Sequence, residues 1–228
     1  LSVLVACPVI GPPADDVIAS WDHRPHLVIV NGAFDAWRAA LLDEPGAPWW
    51  FCADTNIGVA ASWNLAFRRA ERAGVGYVAL VSQNLVLAGG ISRLARLVDD
   101  HADRRGLLTD FAWRCIVLAV DVWRKVGPFD VGFWPGYYED SDYVRRLQLA
   151  AVHTPTDPIP KVGRDLLDAS RDDVAVTLRS GLIDPDAYAR NGRRYLAKWG
   201  GPPFAERYGR PWDPDSAGLA SNWDQEAG

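Results

Sequence analysis

The sequence predicts an α/β fold in a single domain, a mainly parallel β-sheet flanked by helices. Three observations carry this expectation. Short apolar runs alternate with stretches of helical periodicity over the first two-thirds of the chain. The connections between them are short and carry Gly, Pro, Asn and Asp. The 228 residues, 49% hydrophobic and 23% charged, suit one large domain that buries its own core.

Each element has its own justification. Leu1–Pro8 is an apolar run that ends in proline, a strand entering a loop. His26–Val30 reads as a second strand closed by the Asn31-Gly32 turn, and Trp49–Ala53 as a third. From about Ala60 to Ala73 the spacing predicts a helix. Trp63, Ala66, Phe67 and Ala70 share one face, and Arg68, Arg69, Glu71 and Arg72 lie mostly on the other. Tyr77–Val81 is a strong β run, and Ile91, Leu94, Ala95, Val98 and Ala102 form another helical stripe. Cys115–Val120 is strand-like, Val122–Val126 is a short helix stopped by Gly127-Pro128, and Tyr143–Leu149 is helical. Beyond about His153 the pattern weakens, and Pro155, Pro158 and Pro160 stiffen an extended stretch. A last helix runs from about Pro185 to Trp199, with Gly200-Gly201-Pro202-Pro203 as its stop. Residues 1–205 form the domain on this reading. Residues 206–228 form a tail rich in Pro, Asp, Gly and Ser, either a disordered end or a strap over the domain.

Composition narrows the function classes. The net charge of −5 offers no general attraction to nucleic acid or anionic lipid. Cys7, Cys52 and Cys115 are scattered and form no CxxC pair, so they read as buried reduced thiols. No apolar run reaches membrane-spanning length, and the start lacks the features of a signal peptide, so a cytoplasmic location is expected. The loop Pro8–Pro13 has neither the basic glycine-rich sequence of a nucleotidyltransferase nor the Gly-x-Gly-x-x-Gly of a dinucleotide-binding oxidoreductase. Eleven tryptophans, among them Trp134, Trp199, Trp212 and Trp223, serve as core anchors or as stacking surfaces for a sugar or base.

In a parallel sheet, ligands sit beyond the carboxyl ends of the strands. The segments there are Pro8–Pro13, Asn31–Asp35, Asp54–Gly58 and Ser82–Asn84. Asn31-Gly32-Ala33-Phe34-Asp35 and Asn56-Ile57-Gly58-Val59-Ala60-Ala61-Ser62-Trp63-Asn64 are followed by Val126-Gly127-Pro128-Phe129-Asp130 and Tyr137-Tyr138-Glu139-Asp140-Ser141-Asp142. Arg145 and Leu147 come next, then Asn191 and Tyr195-Leu196-Ala197-Lys198-Trp199-Gly200. In order and spacing these segments, spanning roughly Ser2 to Gly201, resemble family 2 glycosyltransferases. The resemblance implies a GT-A, Rossmann-like fold. It also implies an inverting, hexosyltransferase-like enzyme that takes a nucleoside-diphosphate sugar as donor.

The same resemblance assigns expected roles. Asp140 stands where the family keeps its catalytic base. Pro8, Val9, Asn31, Asp35, Asn56, Gly58, Ser82, Gln83 and Asn84 fall on the donor side. Trp134, Tyr138, Glu139 and Asp142 fall on the acceptor side. Asp35 either binds the base or ribose or ends a turn. Asp140, Ser141 and Asp142 have a plainer reading as the cap of the following helix. The acceptor stays open among a glycan, a lipid-linked sugar, a protein, a small molecule and a modified nucleic acid.

One departure from the family pattern bears on metal. The place of its acidic metal motif reads Leu80-Val81-Ser82-Gln83-Asn84-Leu85, so a neutral Asn84 replaces the expected Asp. The later metal-binding His is also missing, since Gly163 stands near its place and His153 comes too early. Mg or Mn would bind weakly through Asn84, or Arg145, Lys161, Arg164, Arg193 or Lys198 would neutralise the diphosphate instead. The remaining alternative is a degenerate sugar-nucleotide or glycan-binding module without turnover.

Overall fold

Strands form where β-branched and apolar residues run together, and here they assemble one six-stranded sheet. The computed structural model describes residues 3–10, 18–22, 26–32, 49–87, 89–100, 108–109, 115–150, 184 and 186–217. The strands are β1 (Val3–Val9), β2 (Leu27–Asn31), β3 (Trp49–Ala53), β4 (Tyr77–Val81), β5 (Leu108–Thr109) and β6 (Cys115–Ala119). Their spatial order is β3-β2-β1-β4-β6-β5. The pairs β1–β2, β2–β3 and β1–β4 are parallel. Strand β6 runs antiparallel to β4, and β5 antiparallel to β6, so the mainly parallel sheet carries a reversed edge.

Side chains alternate across a strand, and the two faces of the sheet bury different helices. Leu4, Ala6, Leu27, Ile29, Val78, Leu80, Ile116 and Leu118 point to one face. They pack against α1 (Val59–Arg72), α3 (Val120–Val126) and α4 (Glu139–Leu149). Val3, Val5, Cys7, Val28, Val30, Ala79, Val81 and Val117 point the other way, onto Ile91, Leu94 and Val98 of α2 (Gly90–Asp100). The expected stripe of α1 is buried, and in α2 Ile91, Leu94 and Val98 are buried and Ala95 half-buried, while Ala102 lies outside the described residues. Helix α1 ends where Gly74 turns left-handed (φ 66°) and the Val75 amide closes back onto Ala70 O at 2.9 Å.

A separate aromatic cluster, Phe133, Tyr195 and Trp199, fixes α5 (Ala187–Trp199) onto the domain. Past its end the backbone doubles back. The amides of Arg207 and Tyr208 donate to Trp199 O, and the Trp212 amide donates to Lys198 O at 2.7 Å. Residues 207–217 therefore lie against the end of α5, with Ser216 buried. Cys7, Cys52 and Cys115 are free thiols, Cys52 only half-buried, and burial pushes the Cys7 thiol up to about 12. Among the described residues no helix is long and apolar enough to cross a membrane.

Candidate active site

At β1 the sheet order parts, with β2 on one side and β4 on the other, and the carboxyl ends of the strands leave a crevice there. A cavity of about 620 Å³ occupies it. One wall is strand ends: Pro8, Ile10, Asn31, Asn56, Ser82, Gln83 and Asn84. The opposite wall is Pro135–Ser141, with Glu139 and Asp140 in the first turn of α4. Val59, Trp63, Leu80 and Val81 close the interior, and Tyr188 and Pro203 complete the lining.

Hydrogen bonds tie the strand-end wall together. Gln83 Oε1 accepts the Ile10 amide at 2.6 Å, joining the exits of β1 and β4. Asn31 is buried and sets the following turn. Its Oδ1 accepts from the Ile57 amide, and its Nδ2 donates to Ser62 Oγ at 2.9 Å. Asn56 Oδ1 accepts the Gly58 amide at 2.8 Å, an Asx-type turn that leads into α1. Gly58 has φ 84°, and a Cβ there would lie 2.9 Å from Trp134 Cδ1.

The opposite wall hangs on two asparagine clamps and two further hydrogen bonds to backbone carbonyls. Asn64 Oδ1 accepts the Phe129 amide at 2.8 Å and its Nδ2 donates to Phe129 O, so α1 holds the turn after α3. Asn191 Nδ2 donates to Gly136 O at 2.7 Å and to Trp134 O, so α5 holds the segment before α4. The Val59 amide donates to Pro135 O at 2.8 Å, and Trp134 Nε1 donates to Asn56 O at 2.9 Å. Asn31 thus acts on both Asn56–Gly58 and the cavity surface. Tyr137 and Tyr138 adopt successive left-handed conformations (φ 75° and 71°), a costly backbone that lifts the next residues into the cleft.

Helix α4 begins at Glu139, earlier than the expected Tyr143, because the Asp142 amide already bonds Tyr138 O at 2.9 Å. Asp140 and Ser141 are therefore in its first turn, and Asp140 makes no capping bond of the usual kind. Asp140 Oδ1 instead accepts the Ser141 amide at 2.7 Å and the Ser141 hydroxyl. Burial raises the Asp140 carboxyl above its ordinary range, against the lowering by those Ser141 bonds.

Glu139 is 7% exposed, and its Oε2 is closed off with no hydrogen-bond partner. Burial first, then the charge of Asp140, pushes its carboxyl up to about 8, with Asp142 adding to the rise. The helix N-terminus favours a carboxylate by only ~0.3–1 kcal/mol, whereas stripping water from an unpaired carboxylate costs on the order of several kcal/mol, so burial wins.

Asp142, Lys198 and Arg145 lie outside the cavity lining, each engaged by other groups of the protein. Asp142 is fully buried outside the cavity lining. Its Oδ1 accepts Trp199 Nε1 at 2.9 Å and pairs with Lys198 Nζ at 2.6 Å, and its Oδ2 pairs with Arg146 at 3.0 Å. It makes no side-chain cap bond at the start of α4 and does not line the cavity. Lys198 also pairs with Asp130 Oδ2 at 2.7 Å, so its charge is held by two carboxylates instead of a diphosphate. Arg145 donates to Tyr208 O at 3.0 Å and stacks over Trp199. Burial alone would raise Asp130, but Lys198, the Gly132 amide and Arg194 together hold it down at about 2.

Val9 is buried on the α2 face of the sheet, away from the lining. Arg193 is exposed on α5 and does not line the cavity. Asp35, Lys161, Arg164, Gly163 and His153 lie outside the described residues. Trp134, Tyr137 and Tyr188 stand partly exposed beside the cleft. Tyr137 and Tyr188, which the sequence did not single out, meet edge to face at 5.5 Å.

The donor set at the end of β4 does not fit a tightly held divalent cation. Ser82, Gln83 and Asn84 offer only neutral oxygens, and Gln83 Oε1 is engaged by Ile10. Among the described residues no three His, Cys, Asp or Glu side chains form a metal-binding group.

The fold is similar to a solved structure of TarS from S. aureus, residues 1–349, in complex with UDP-GlcNAc. The TM-score is 0.50 at 12% identity, over 86% of this chain and 66% of that one. The fold is GT-A. A second structure of the same TarS fragment aligns at TM-score 0.47 and 12% identity, over 66% of this chain and 56% of that one. The chain thus spans about half of that fragment's length. A 4-diphosphocytidyl-2C-methyl-D-erythritol synthase aligns at TM-score 0.45 and 12% identity, over 80% of this chain and 99% of that one. No protein-family model and no curated protein sequence matches the chain. In the GT-A frame the cavity lies at the strand ends that the parallel sheet exposes, with the paired carboxylates facing them.

Proposed function

We propose that the chain is an inverting glycosyltransferase that moves a sugar from a nucleoside-diphosphate sugar to an acceptor hydroxyl, with Asp140 as general base. The observation that carries this is the place of Asp140, on the cavity wall that faces the strand ends. The nucleotide half of the donor lies along Pro8, Asn31, Asn56 and Ser82–Asn84. The acceptor enters beside Trp134, Tyr138 and Glu139. In the transfer step the acceptor oxygen bonds to the anomeric carbon as its proton passes to Asp140, and the bond to the diphosphate breaks with the electron pair leaving on the diphosphate. Oδ2 of Asp140 takes no part in the Ser141 bonds and receives the proton. A raised carboxyl is a stronger base at neutral pH, which suits the role. Of the cations the sequence offers for the leaving group, Arg145 and Lys198 are engaged by other groups of the protein, and Lys161 and Arg164 lie outside the described residues.

A second reading, a sugar-nucleotide binder without turnover, is favoured by one observation. Among the described residues that line the cavity there is no Lys or Arg. One experiment separates the two. The protein and its Asp140→Asn variant are assayed against UDP-, GDP- and dTDP-sugars, with donor binding measured in parallel. The wild type is expected to consume one donor, and the variant to bind it equally but to transfer roughly 100-fold more slowly or worse. Equal rates remove Asp140 from the mechanism. Donor binding without turnover in the wild type establishes the binder.

A further inference from the structure

We propose that Glu139 works as a neutral carboxylic acid that donates a hydrogen bond to a hydroxyl or ether oxygen of the sugar bound beside Asp140, while Asp140 works as the carboxylate. The proposal rests on the transferase reading above, and it gives the two adjacent acids opposite protonation states.

The geometry supplies the reason. Glu139 is buried at the cavity wall, and Oε2 has no partner although the side chain lines a cavity built to hold a polar ligand. A carboxylate left in that state would have only its own backbone amide and the helix N-terminus to compensate it, and no counter-charge. Asp142, in the same helical turn, has Lys198, Arg146 and Trp199. Asp140 has the Ser141 amide and hydroxyl. A protonated Glu139 needs no counter-charge, and its O–H seeks an acceptor in the cavity.

The titratable groups around it agree. On its own helix these are Asp140 and Asp142, both of which disfavour a second negative charge. From the preceding segment come Tyr137 and Tyr138, and the Tyr138 hydroxyl is pushed up to about 12, first by its bond to Tyr188. From α5 come Tyr188 and Arg190. The guanidinium of Arg190 is already committed to Asp184 and to Trp134 O. Lys198 and Arg146 are bound by Asp142. The strand-end wall contributes Ser82, Gln83 and Asn84, none of which titrates. No described cation is therefore left to hold Glu139 ionised, in keeping with its carboxyl lying near about 8.

The test is the pH dependence of transfer in the wild type, Glu139→Gln and Glu139→Ala, with infrared spectra of the free wild type and Glu139→Gln from neutral to alkaline pH. The wild-type rate is expected to fall on the alkaline side near pH about 8. Glu139→Ala should lose about tenfold or more. Glu139→Gln, which keeps a neutral donor in place, should recover most of that loss and show no alkaline fall. A carboxylic-acid carbonyl band should be present at neutral pH in the wild type and absent in Glu139→Gln. A flat alkaline limb in the wild type, or Glu139→Gln as impaired as Glu139→Ala, overturns the proposal. A wild type that turns over no nucleotide sugar sinks the transferase reading instead. The infrared band then still decides the state of Glu139, and its absence at neutral pH overturns the inference in either case.

Discussion

Asn84, in the turn after β4, carries an amide where the family resemblance leads one to expect a carboxylate. Neutral oxygens hold Mg²⁺ or Mn²⁺ weakly, so transfer measured in EDTA should keep most of its rate. Asn84→Asp should introduce stimulation by Mn²⁺. Complete loss in EDTA with recovery at low Mn²⁺ would place the metal ligands outside Ser82–Asn84. Glu139 makes a second prediction, about stability. Its folded carboxyl lies at about 8 against an ordinary 4.5. The unfolded chain therefore ionises first as pH rises, and the contribution of Glu139, full below 4.5, is lost as pH climbs through about 8. Glu139→Gln should melt higher than the wild type at alkaline pH, and the gap should close on acidification; a constant gap across pH would contradict the burial argument. The acidic pair was legible in the sequence because Glu139-Asp140 sits in a spaced block that follows Gly127-Pro128-Phe129-Asp130. The fate of Arg145 and Lys198 was not legible. A sequence shows that a residue carries charge, but whether that charge meets a ligand or a buried carboxylate depends on how α5 docks against α4.

That docking is built on buried charge. Lys198 of α5 bridges Asp130, in the segment after α3, and Asp142 of α4 at 2.7 and 2.6 Å, and its side chain is 6% exposed. Removing one partner of a buried pair leaves an uncompensated charge and costs about 3–5 kcal/mol. Lys198→Met, which keeps the length of the stem, should therefore unfold at clearly lower denaturant than the wild type. A change within error would show that water already reaches the network. Acid should find the same weak point. Asp130 is held down at about 2 against 3.8, so its share of the stability is present above 3.8 and is lost as pH falls through about 2. At this scale five of the six strands and the larger helices were readable from apolar runs and helical period, as at Tyr77–Val81 and along the Trp63, Ala66, Phe67 and Ala70 stripe, but the two-residue β5 was not. The reversal of β6 was not, because an apolar run such as Cys115–Ala119 carries no sign of its direction. The start of α4 was also obscured, since Asp140-Ser141-Asp142 has the composition of a cap while the left-handed Tyr138 moves the boundary to Glu139.

For the molecule as a whole, the reversed β6 matters more than its length suggests. It carries the chain away from the cavity end, and α3 and the segment after it bring the chain back on the far side of the cleft. The strand-end wall and the wall bearing Glu139 and Asp140 are thus separate limbs of the chain that meet at Gly58, Trp134 and Pro135. Gly58→Ala would force a Cβ against Trp134 Cδ1 at 2.9 Å and place a side chain at φ 84°, with backbone strain of about 1–2 kcal/mol. Its expected outcome is a lower melting temperature together with a raised KM for the donor; a fall in stability alone would mean that the two limbs adjust independently. If they are coupled, the junction acts as a spacer of set thickness. The cleft then has a fixed gauge, and this protein would sort its substrates by size, as a sieve does, instead of by closing around whatever enters.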